Sequence, residues 1–257
     1  LAVKPGSDAV LFAAMLKHIV DSGLHNKDFI AAHADGFEEL VESVKAVTIE
    51  AAADACGVPA ADIKSAAELY AKAAAASIFY SAGLTQQHNG AAAVTALADL
   101  AVVTGNIGRA GTGVNGLAGQ ANAQGACDMG ALPNVFPGYQ RVDNAEAREK
   151  FMKAWNVPSL PDKPGLMMPT MMEGLTTGKI KAFYVFGENL ANTEPDIHHV
   201  EHCLESAEFL VCQDIFPTET TRFAHVILPA AAWSENDGTF ASSEWRVNRV
   251  RTASVPP

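Results

Sequence analysis

Short apolar runs alternate with amphipathic segments along this chain, and this alternation constrains the fold more than any other feature of the sequence. Four runs have the length and composition of buried strands, at residues 78–80, 180–186, 209–212 and 226–228. Segments with helical periodicity lie around them, at residues 8–21, 37–44, 48–55, 59–74, 91–103, 146–155, 169–175 and 196–206. Strands that alternate with helices favour a parallel sheet covered by helices on both faces, so we predict an α/β fold.

Composition and charge argue against several classes of protein. The 257 residues carry a formal net charge of −11, whereas a non-specific nucleic-acid binder needs a basic face. No apolar run is long enough to cross a bilayer, so we expect no direct membrane insertion. The four cysteines are scattered and form no CxxC pair, which speaks against a zinc ribbon or an iron–sulfur cluster in this stretch. A reducing compartment such as the cytoplasm is the default expectation.

Polar loops follow three of the predicted strands. In open parallel sheets, ligands bind beyond the carboxyl ends of the strands, and nucleotides are common among those ligands. This rule selects residues 83–86 after the first strand, residues 187–189 after the second, and residues 213–214 after the third. Turn residues are common in such loops, so a purely structural role for any single loop stays open. Because all three loops agree, we favour a nucleotide-binding edge.

Residues 116–140 form the least periodic segment of the chain. The segment reads GLAGQANAQGACDMGALPNVFPGYQ, and its small residues and carboxamides show neither helical nor strand periodicity. We therefore predict a long ordered loop. Glycine allows the backbone to approach a ligand closely, and carboxamides such as Gln120 and Asn122 offer both donors and acceptors. Binding of a large polar ligand is favoured over a plain surface loop.

This segment closely resembles the large subunit of the molybdenum- or tungsten-dependent formate dehydrogenases, which belong to the dimethyl-sulfoxide-reductase family of molybdopterin enzymes. The resemblance continues in the stretches KPGSD (4–8), TGNIG (104–108), FGEN (186–189), QDIF (213–216), HVILP (225–229) and NDGTF (236–240). It implies three-layer, Rossmann-like parallel-sheet domains. We expect residues 1–115 to form part of one α/β domain and residues 116–257 to form the domain that binds the molybdopterin guanine dinucleotide.

The resemblance also implies cofactors, a reaction and partners. Members of this family bind two molybdopterin guanine dinucleotides (bis-MGD) with molybdenum or tungsten, and the formate dehydrogenases among them oxidise formate to carbon dioxide in a two-electron reaction. Their metal-ligating cysteine or selenocysteine and their iron–sulfur cysteines precede the region that this chain resembles. We therefore expect an internal fragment that is inactive and metal-free by itself. For the intact protein, the implied partners are formate or a similar small oxyanion and electron-transfer subunits.

Several polar residues in the matching stretches are candidates for cofactor contacts. Asp214 is suited to the planar donor pair of a guanine edge, although a cap for a helical turn at residues 218–222 stays an alternative. The resemblance assigns Glu188, Asn189 and Thr193 to a loop that contacts the dinucleotide, although these residues are also suited to capping the next helix. The predicted cofactor-binding set is Gly83, Thr85, Gln120, Asn122, Gly187, Glu188, Asn189, Thr193, Gln213 and Asp214.

The chain departs from the resembling pattern at the position of greatest catalytic interest. Formate dehydrogenases have R-G-Q-N-N where this chain has Ala118-Gly-Gln-Ala-Asn122. The arginine of the family orients formate beside the metal, and alanine removes that bidentate carboxylate partner. We therefore predict no catalytic residue within the chain. A nitrate-reductase-like member of the family and a metal-free structural homologue of the complex I type stay as alternatives, although Gln120 and the FGEN loop favour a bound cofactor.

Three other features have ordinary explanations. Residues 198–202 fit the H-x-x-E-H metal-site pattern, but so short a pattern often occurs by chance, and we predict a solvated, histidine-rich helix face. Cys127 has no recognisable base near it in sequence, so we interpret it as a small buried hydrophobe rather than a nucleophile. His225 directly precedes a predicted strand, and we expect it to be structural.

Overall fold

The computed structural model describes residues 1–242, 244 and 246–256, which form two compact units. The first unit comprises Leu1–Gln120 and the second comprises Ala121–Pro257. The boundary predicted from the sequence, between residues 115 and 116, falls inside the last strand of the first unit. Among the described residues, we find no helix with both the length and the apolar character needed to span a membrane.

The first unit combines helices with a two-stranded parallel sheet. Its helices are α1 (Asp8–Asp21), α2 (Lys27–His33), α3 (Phe37–Val44), α4 (Ile49–Cys56), α5 (Ala60–Lys72), α6 (Ala82–Thr85) and α7 (Gly90–Thr104). Strand β1 (Ser77–Tyr80) pairs in parallel with β2 (Gly113–Gly116), so that Ser77 lies opposite Gly113 and Tyr80 lies opposite Gly116.

Local signals define the ends of several of these helices. At the start of α2, the Asn26 side chain accepts a hydrogen bond from Phe29 N at 3.0 Å, and Thr48 Oγ1 accepts one from Ala51 N at 3.3 Å at the start of α4. Gly105 ends α7 with a φ of 68°, a left-handed conformation that is least costly for glycine. The apolar faces of α1 and α7 supply much of the core of this unit, through Leu16, Ile19, Leu97, Leu100 and Val103.

Asn106 connects the loop after α7 to the first residues of both strands. The residue is 1% exposed. Its Oδ1 accepts hydrogen bonds from Ala76 N and from Arg109 Nη2, each at 3.1 Å, and its backbone carbonyl accepts one from Gly113 N at 3.0 Å. Because Ala76 directly precedes β1 and Gly113 begins β2, this one residue holds the starts of both strands.

The second unit begins with short elements and continues with a parallel sheet. Helix α8 (Ala123–Asp128) precedes the antiparallel pair β3 (Val135–Phe136) and β4 (Gln140–Arg141), which α9 (Ala145–Trp155) and α10 (Met168–Thr176) follow. The sheet has the order β5 (Ala182–Phe186), β6 (Phe209–Asp214) and β7 (Val226–Pro229), all parallel, with α11 (Leu190–Thr193) and α12 (Ile197–Glu205) between β5 and β6. The unit continues through 3₁₀ turns at Thr220–Phe223 and Trp233–Glu235 and the hairpin of β8 (Gly238–Ser242) with β9 (Arg246–Val250).

Helices cover one face of the β5–β6–β7 sheet. On that face, Val185, Leu210 and Cys212 are buried with side chains of α10 and α12. Alternate residues of a strand point to opposite faces, so their neighbours along the strands lie on the other side. That side exposes Tyr184, Phe186, Phe209, Val226 and Leu228. We predicted helices on both faces of the sheet, and within the described residues they cover one face of this sheet.

The predicted α/β class with parallel sheets is confirmed, and strands lie at all four predicted positions. The predicted loop at residues 116–140 is wrong in part, because it contains α8 and β3, and α6 interrupts the loop after β1. Neither β2 nor the β8–β9 hairpin was predicted. Strand β2 has the sequence GVNG, whose single apolar residue gives no strand signal, and the strand exists because β1 provides its hydrogen-bonding partner.

Replacing Asn106 with alanine should lower the free energy of unfolding by about 1–3 kcal/mol, because the half-buried Ala76 amide then loses its acceptor. Urea denaturation of the chain measures this change. The matched control is Gln86→Ala, at an exposed position of the same unit, which should stay within about 0.5 kcal/mol of the wild type. Equal stability of the two variants would contradict the role of Asn106.

Replacing Gly125 with alanine should disturb the contact between α8 and β8. A Cβ atom at position 125 would lie 2.2 Å from Asn122 Oδ1, which accepts a hydrogen bond from Ala241 N at 3.0 Å. Alanine would ordinarily stabilise a helix by about 0.5–1 kcal/mol relative to glycine, so a loss of stability identifies the clash. Amide hydrogen exchange at Ala241 should become faster. Gly119→Ala, whose Cβ meets no described atom within 4 Å, should leave that exchange unchanged.

Candidate functional site

The carboxyl ends of β5 and β6 form the polar edge on which most of the predicted site residues meet. The two strands are directly hydrogen-bonded, with Phe186 opposite Gln213. Immediately after β5, Gly187 turns the chain with a φ of 66° and donates from its backbone N to the Gln213 carbonyl at 2.9 Å. A Cβ at this glycine would meet no described atom within 4 Å, so the backbone here is open to the surroundings. The positive φ makes glycine the favoured residue at this turn.

Glu188 is exposed and closes the turn that leads into α11. Its Oε1 accepts hydrogen bonds from Asn189 N at 3.1 Å and from Thr193 Oγ1 at 2.8 Å. The capping of the next long helix, which the sequence left open for Glu188, is wrong, because Asp196 caps α12, and Glu188 bonds within the turn before α11, which has no side-chain cap. Oε2 of Glu188 accepts no hydrogen bond from the residues that the structure describes, and it remains available to a ligand.

Asp214 is a half-buried residue that ends β6. Its Oδ1 accepts a hydrogen bond from Ile215 N at 2.7 Å, which orients the carboxylate. The alternative in which Asp214 caps the following helical turn is wrong, because the 3₁₀ turn Thr220–Phe223 begins after Glu219 and has no side-chain cap. Within the described part of the chain, Oδ2 of Asp214 has no hydrogen-bonding partner. The group therefore has acceptor capacity left for a planar pair of donors.

Asn189 joins the loop after β5 to the turn after β6. Its Oδ1 accepts hydrogen bonds from Thr220 N at 3.2 Å and from Thr220 Oγ1 at 2.9 Å. Its Nδ2 donates to Glu219 Oε2 at 2.6 Å. Thr220 and Glu219 are absent from the predicted site, and their separation of about thirty positions from Asn189 left no local pattern by which to find them.

The charge of Glu219 is stabilised by this arrangement. The hydrogen bond from the Asn189 amide is the main cause that lowers the pKa of the Glu219 carboxyl below its ordinary value, and its own backbone amide and nearby Arg222 lower it further. Glu219 is thus ionised at neutral pH. Together with Glu188 and Asp214, it makes this edge of the sheet acidic.

Gln213 contributes to the same edge from the exposed face of the sheet. Tyr184 Oη donates a hydrogen bond to Gln213 Oε1 across the two strands. The structure thus brings together, in the second unit, six of the ten predicted cofactor-binding residues, namely Gly187, Glu188, Asn189, Thr193, Gln213 and Asp214.

The other four predicted residues lie elsewhere along the chain. Gly83 and Thr85 belong to α6 of the first unit and are exposed, as is Gln120 at the end of that unit. Asn122 precedes α8, where its Oδ1 accepts the hydrogen bond from Ala241 N of β8. The position of the missing arginine, Ala118, is also exposed.

The histidine pattern at residues 198–202 forms an exposed face of α12. The His198 side chain is 98% exposed and lies 3.7 Å from the Glu201 carboxylate. Among the described residues, no group of three or more His, Cys, Asp or Glu side chains is arranged to hold a metal ion. The interpretation as a solvated histidine face agrees with this exposure. His225 has the structural role expected of it, since its Nδ1 accepts a hydrogen bond from Leu210 N at 3.0 Å.

The Cys203 sulfur lies 3.5 Å from His199 Nε2, but burial of the thiol opposes formation of its thiolate. Cys127 is half-buried, so its interpretation as a small buried hydrophobe is wrong in degree, because α8 buries none of its residues completely. Burial is the main cause that raises the pKa values of the Cys203 and Cys212 thiols, which keeps both protonated at neutral pH.

Several known proteins are similar to this chain. The F420-dependent formate dehydrogenase subunit alpha of Methanocaldococcus jannaschii is 48% identical over 258 residues, which cover 100% of this chain and 38% of that protein. Formate dehydrogenase H of Escherichia coli is 40% identical over 256 residues, covering 100% of this chain and 36% of the relative. The chain therefore spans somewhat more than a third of the length of these relatives.

A solved structure shares the fold. Acetylene hydratase from Pelobacter acetylenicus superposes with a TM-score of 0.72 over 99% of this chain and 37% of its own. The sequence identity is 21%, so this similarity shows a shared fold and nothing about function. The family model described as molybdopterin oxidoreductase matches residues 1–257, which is the whole chain. With its parallel sheets and the polar edge that they create, the chain belongs to the molybdopterin oxidoreductase family.

Proposed function

We propose that this chain is the guanosine-binding part of a formate dehydrogenase catalytic subunit. The relatives that it matches along its whole length carry the name formate dehydrogenase, and this supports the assignment of the reaction. The intact protein would oxidise formate to carbon dioxide in a two-electron reaction, and a similar small oxyanion is the alternative substrate. Since the chain spans only somewhat more than a third of those relatives, the activity belongs to the intact subunit.

The single observation that carries the guanosine assignment is the pair of carboxylates at the ends of two hydrogen-bonded strands. Glu188 follows β5 and Asp214 ends β6, and each keeps one oxygen without a partner among the described residues. A guanine edge presents adjacent N–H donors, which a carboxylate accepts with both oxygens. Ligands of parallel α/β sheets bind at this end of the strands. The donor and acceptor chemistry of this edge therefore fits the guanosine part of a molybdopterin guanine dinucleotide.

In this proposal, Asp214 accepts hydrogen bonds from guanine, Glu188 accepts from the guanosine, and the open backbone at Gly187 permits close approach. Gln120 and Asn122, with Gly83 and Thr85, are further candidates for contacts with a bis-MGD cofactor. When bound, the molybdopterin and its molybdenum or tungsten supply the redox chemistry of the reaction. Iron–sulfur clusters, which the resemblance implies, would be held by residues outside this chain, and electron-transfer subunits would be partners of the intact protein.

Replacing Asp214 with alanine should weaken the binding of GDP to the chain by about 10- to 150-fold, because a hydrogen bond to a charged group contributes about 1.5–3 kcal/mol. Isothermal titration calorimetry measures this change. The matched control, Glu205→Ala, removes an exposed carboxylate at the end of α12 and should leave the affinity unchanged. If Asp214→Ala binds GDP as tightly as Glu205→Ala does, Asp214 does not contact guanosine.

Introducing arginine at position 118 should increase formate oxidation by the intact subunit. A guanidinium group binds a carboxylate in bidentate fashion, and breaking such a buried pair costs about 2–5 kcal/mol, or about 30- to several-thousand-fold in affinity. We therefore expect Ala118→Arg to raise kcat/KM for formate by at least about 30-fold.

Two control variants separate charge from side-chain length at position 118. Ala118→Met adds length without charge and should give no gain, and Ala118→Lys adds charge without the planar fork and should give less than arginine. Fast formate oxidation by the wild type that arginine does not improve would mean that another residue orients the substrate.

A further inference from the structure

The Asn189 side chain uses most of its hydrogen-bonding capacity within the protein. A carboxamide offers two acceptor positions on its oxygen and two N–H donors. Both acceptor positions of Asn189 Oδ1 are taken by Thr220, through the backbone N at 3.2 Å and through Oγ1 at 2.9 Å. One donor of Nδ2 is taken by Glu219 Oε2 at 2.6 Å. The Asn189 oxygen is therefore not available to a ligand, although its position in the loop predicted a direct contact.

Thr220 is the buried centre of this arrangement. The residue is 1% exposed. Its hydroxyl donates to Asn189 Oδ1 and accepts a hydrogen bond from Ala191 N at 3.0 Å, so that it bonds both the loop after β5 and the first turn of α11. The backbone N of Thr220 adds a second bond to Asn189. A buried hydroxyl with donor and acceptor both in use has one preferred orientation, which fixes the groups around it.

The two carboxylates of the proposed guanosine site are connected through this centre. On one side, Asn189 N donates to Glu188 Oε1 at 3.1 Å, so the position of Asn189 determines where the Glu188 carboxylate lies. On the other side, Asp214 ends β6, and the chain reaches Thr220 six residues later. The separation between the Glu188 and Asp214 carboxylates thus depends on the bonds between Asn189 and Thr220.

We propose that Thr220 is a positioning residue for guanosine recognition, acting through Asn189 to hold Glu188 at a fixed place relative to Asp214. Thr220 itself makes no contact with the nucleotide. This inference rests on the proposed function of the edge, because it concerns how that same site selects guanosine. It also assigns Asn189 to the support of the site rather than to a side-chain oxygen contact with the cofactor.

A pair of substitutions isolates the hydroxyl of Thr220. Thr220→Val keeps the shape of the side chain and removes the hydroxyl, whereas Thr220→Ser keeps the hydroxyl. Thr221 provides a matched control, because it is also buried (8% exposed) but its hydroxyl bonds, among the described residues, only to the backbone of Thr218. Thr221→Val therefore removes a buried hydroxyl from the same turn without touching the loop after β5.

The measurements use the full 257-residue chain with GDP and ADP as probes. Calorimetry gives the two affinities, and hydrogen exchange at the Ala191 amide reports the bond to Thr220 independently of any ligand. Thr220→Val should bind GDP about tenfold more weakly, because the loss of one hydrogen bond leaves the Glu188 carboxylate less well positioned. This variant should also discriminate less between GDP and ADP. Thr220→Ser should have the wild-type affinity for GDP and the wild-type discrimination between GDP and ADP. Thr221→Val should retain the same affinity and discrimination, even if urea denaturation shows that this variant is less stable.

Asn189→Asp provides a second route if Thr220→Val does not fold. It keeps the oxygen that accepts from Thr220 but places a carboxylate oxygen against Glu219, so it should also reduce discrimination between GDP and ADP.

Two results would overturn the inference while leaving the proposed function intact. The first is wild-type affinity for GDP in Thr220→Val although hydrogen exchange at the Ala191 amide has become faster. The second is a loss of GDP affinity in Thr221→Val as large as the loss in Thr220→Val. Failure of the wild-type chain to prefer GDP over ADP would instead remove the proposed guanosine site, and the inference with it.

Discussion

The parallel pairing of β5 with β6 determines where the polar groups of the candidate site lie. In this register Phe186 lies opposite Gln213, so both strands end at one edge of the sheet. Helix α12 packs its buried side chains against the buried face of the strands, through Val200, Cys203 and Leu204. Burial of this apolar face stabilises the pairing, and the loops after the strands are then free to carry polar residues.

The structural roles of the carboxylates at this edge leave acceptor capacity for the ligand that we propose. A carboxylate has about four acceptor positions, so Glu188 closes the turn into α11 with one oxygen and keeps the other, and Asp214 does the same toward Ile215. The internal hydrogen bond orients each group before a ligand arrives, which reduces the entropy lost on binding. A carboxamide has less capacity, and the bonds of Asn189 to Thr220 and Glu219 use most of it. The ends of β5 and β6 thus carry two residues with spare acceptors, Glu188 and Asp214, and a residue whose side chain is mostly used within the protein, Asn189.

The sequence predicts the parts of this fold whose signals are local. The apolar runs of β5, β6 and β7 and the capped helices such as α4 lie where periodicity and capping residues predict them. Strand β2 was not predicted because it depends on β1, a partner that is distant in sequence. The β8–β9 hairpin was not predicted because its strands have mixed polarity. The rule for strand ends finds Glu188 and Asp214, whereas Thr220 resembles any other threonine of a turn until the structure brings it to Asn189.

The acidity of the edge limits which part of a nucleotide it can bind. Glu188 lies in the loop after β5, Asp214 is the last residue of β6, and Glu219 lies in the segment after β6. The pKa of Glu219 is lowered by its hydrogen bond from Asn189, so that its charge persists. A diphosphate placed among these carboxylates would be repelled, since like charges a few ångströms apart interact unfavourably even with partial screening by water. Guanine N–H groups and ribose hydroxyls are donors, and carboxylates accept from them without that penalty. The edge is therefore suited to the guanosine end of a dinucleotide, while the phosphates require backbone amides or cationic side chains at another place.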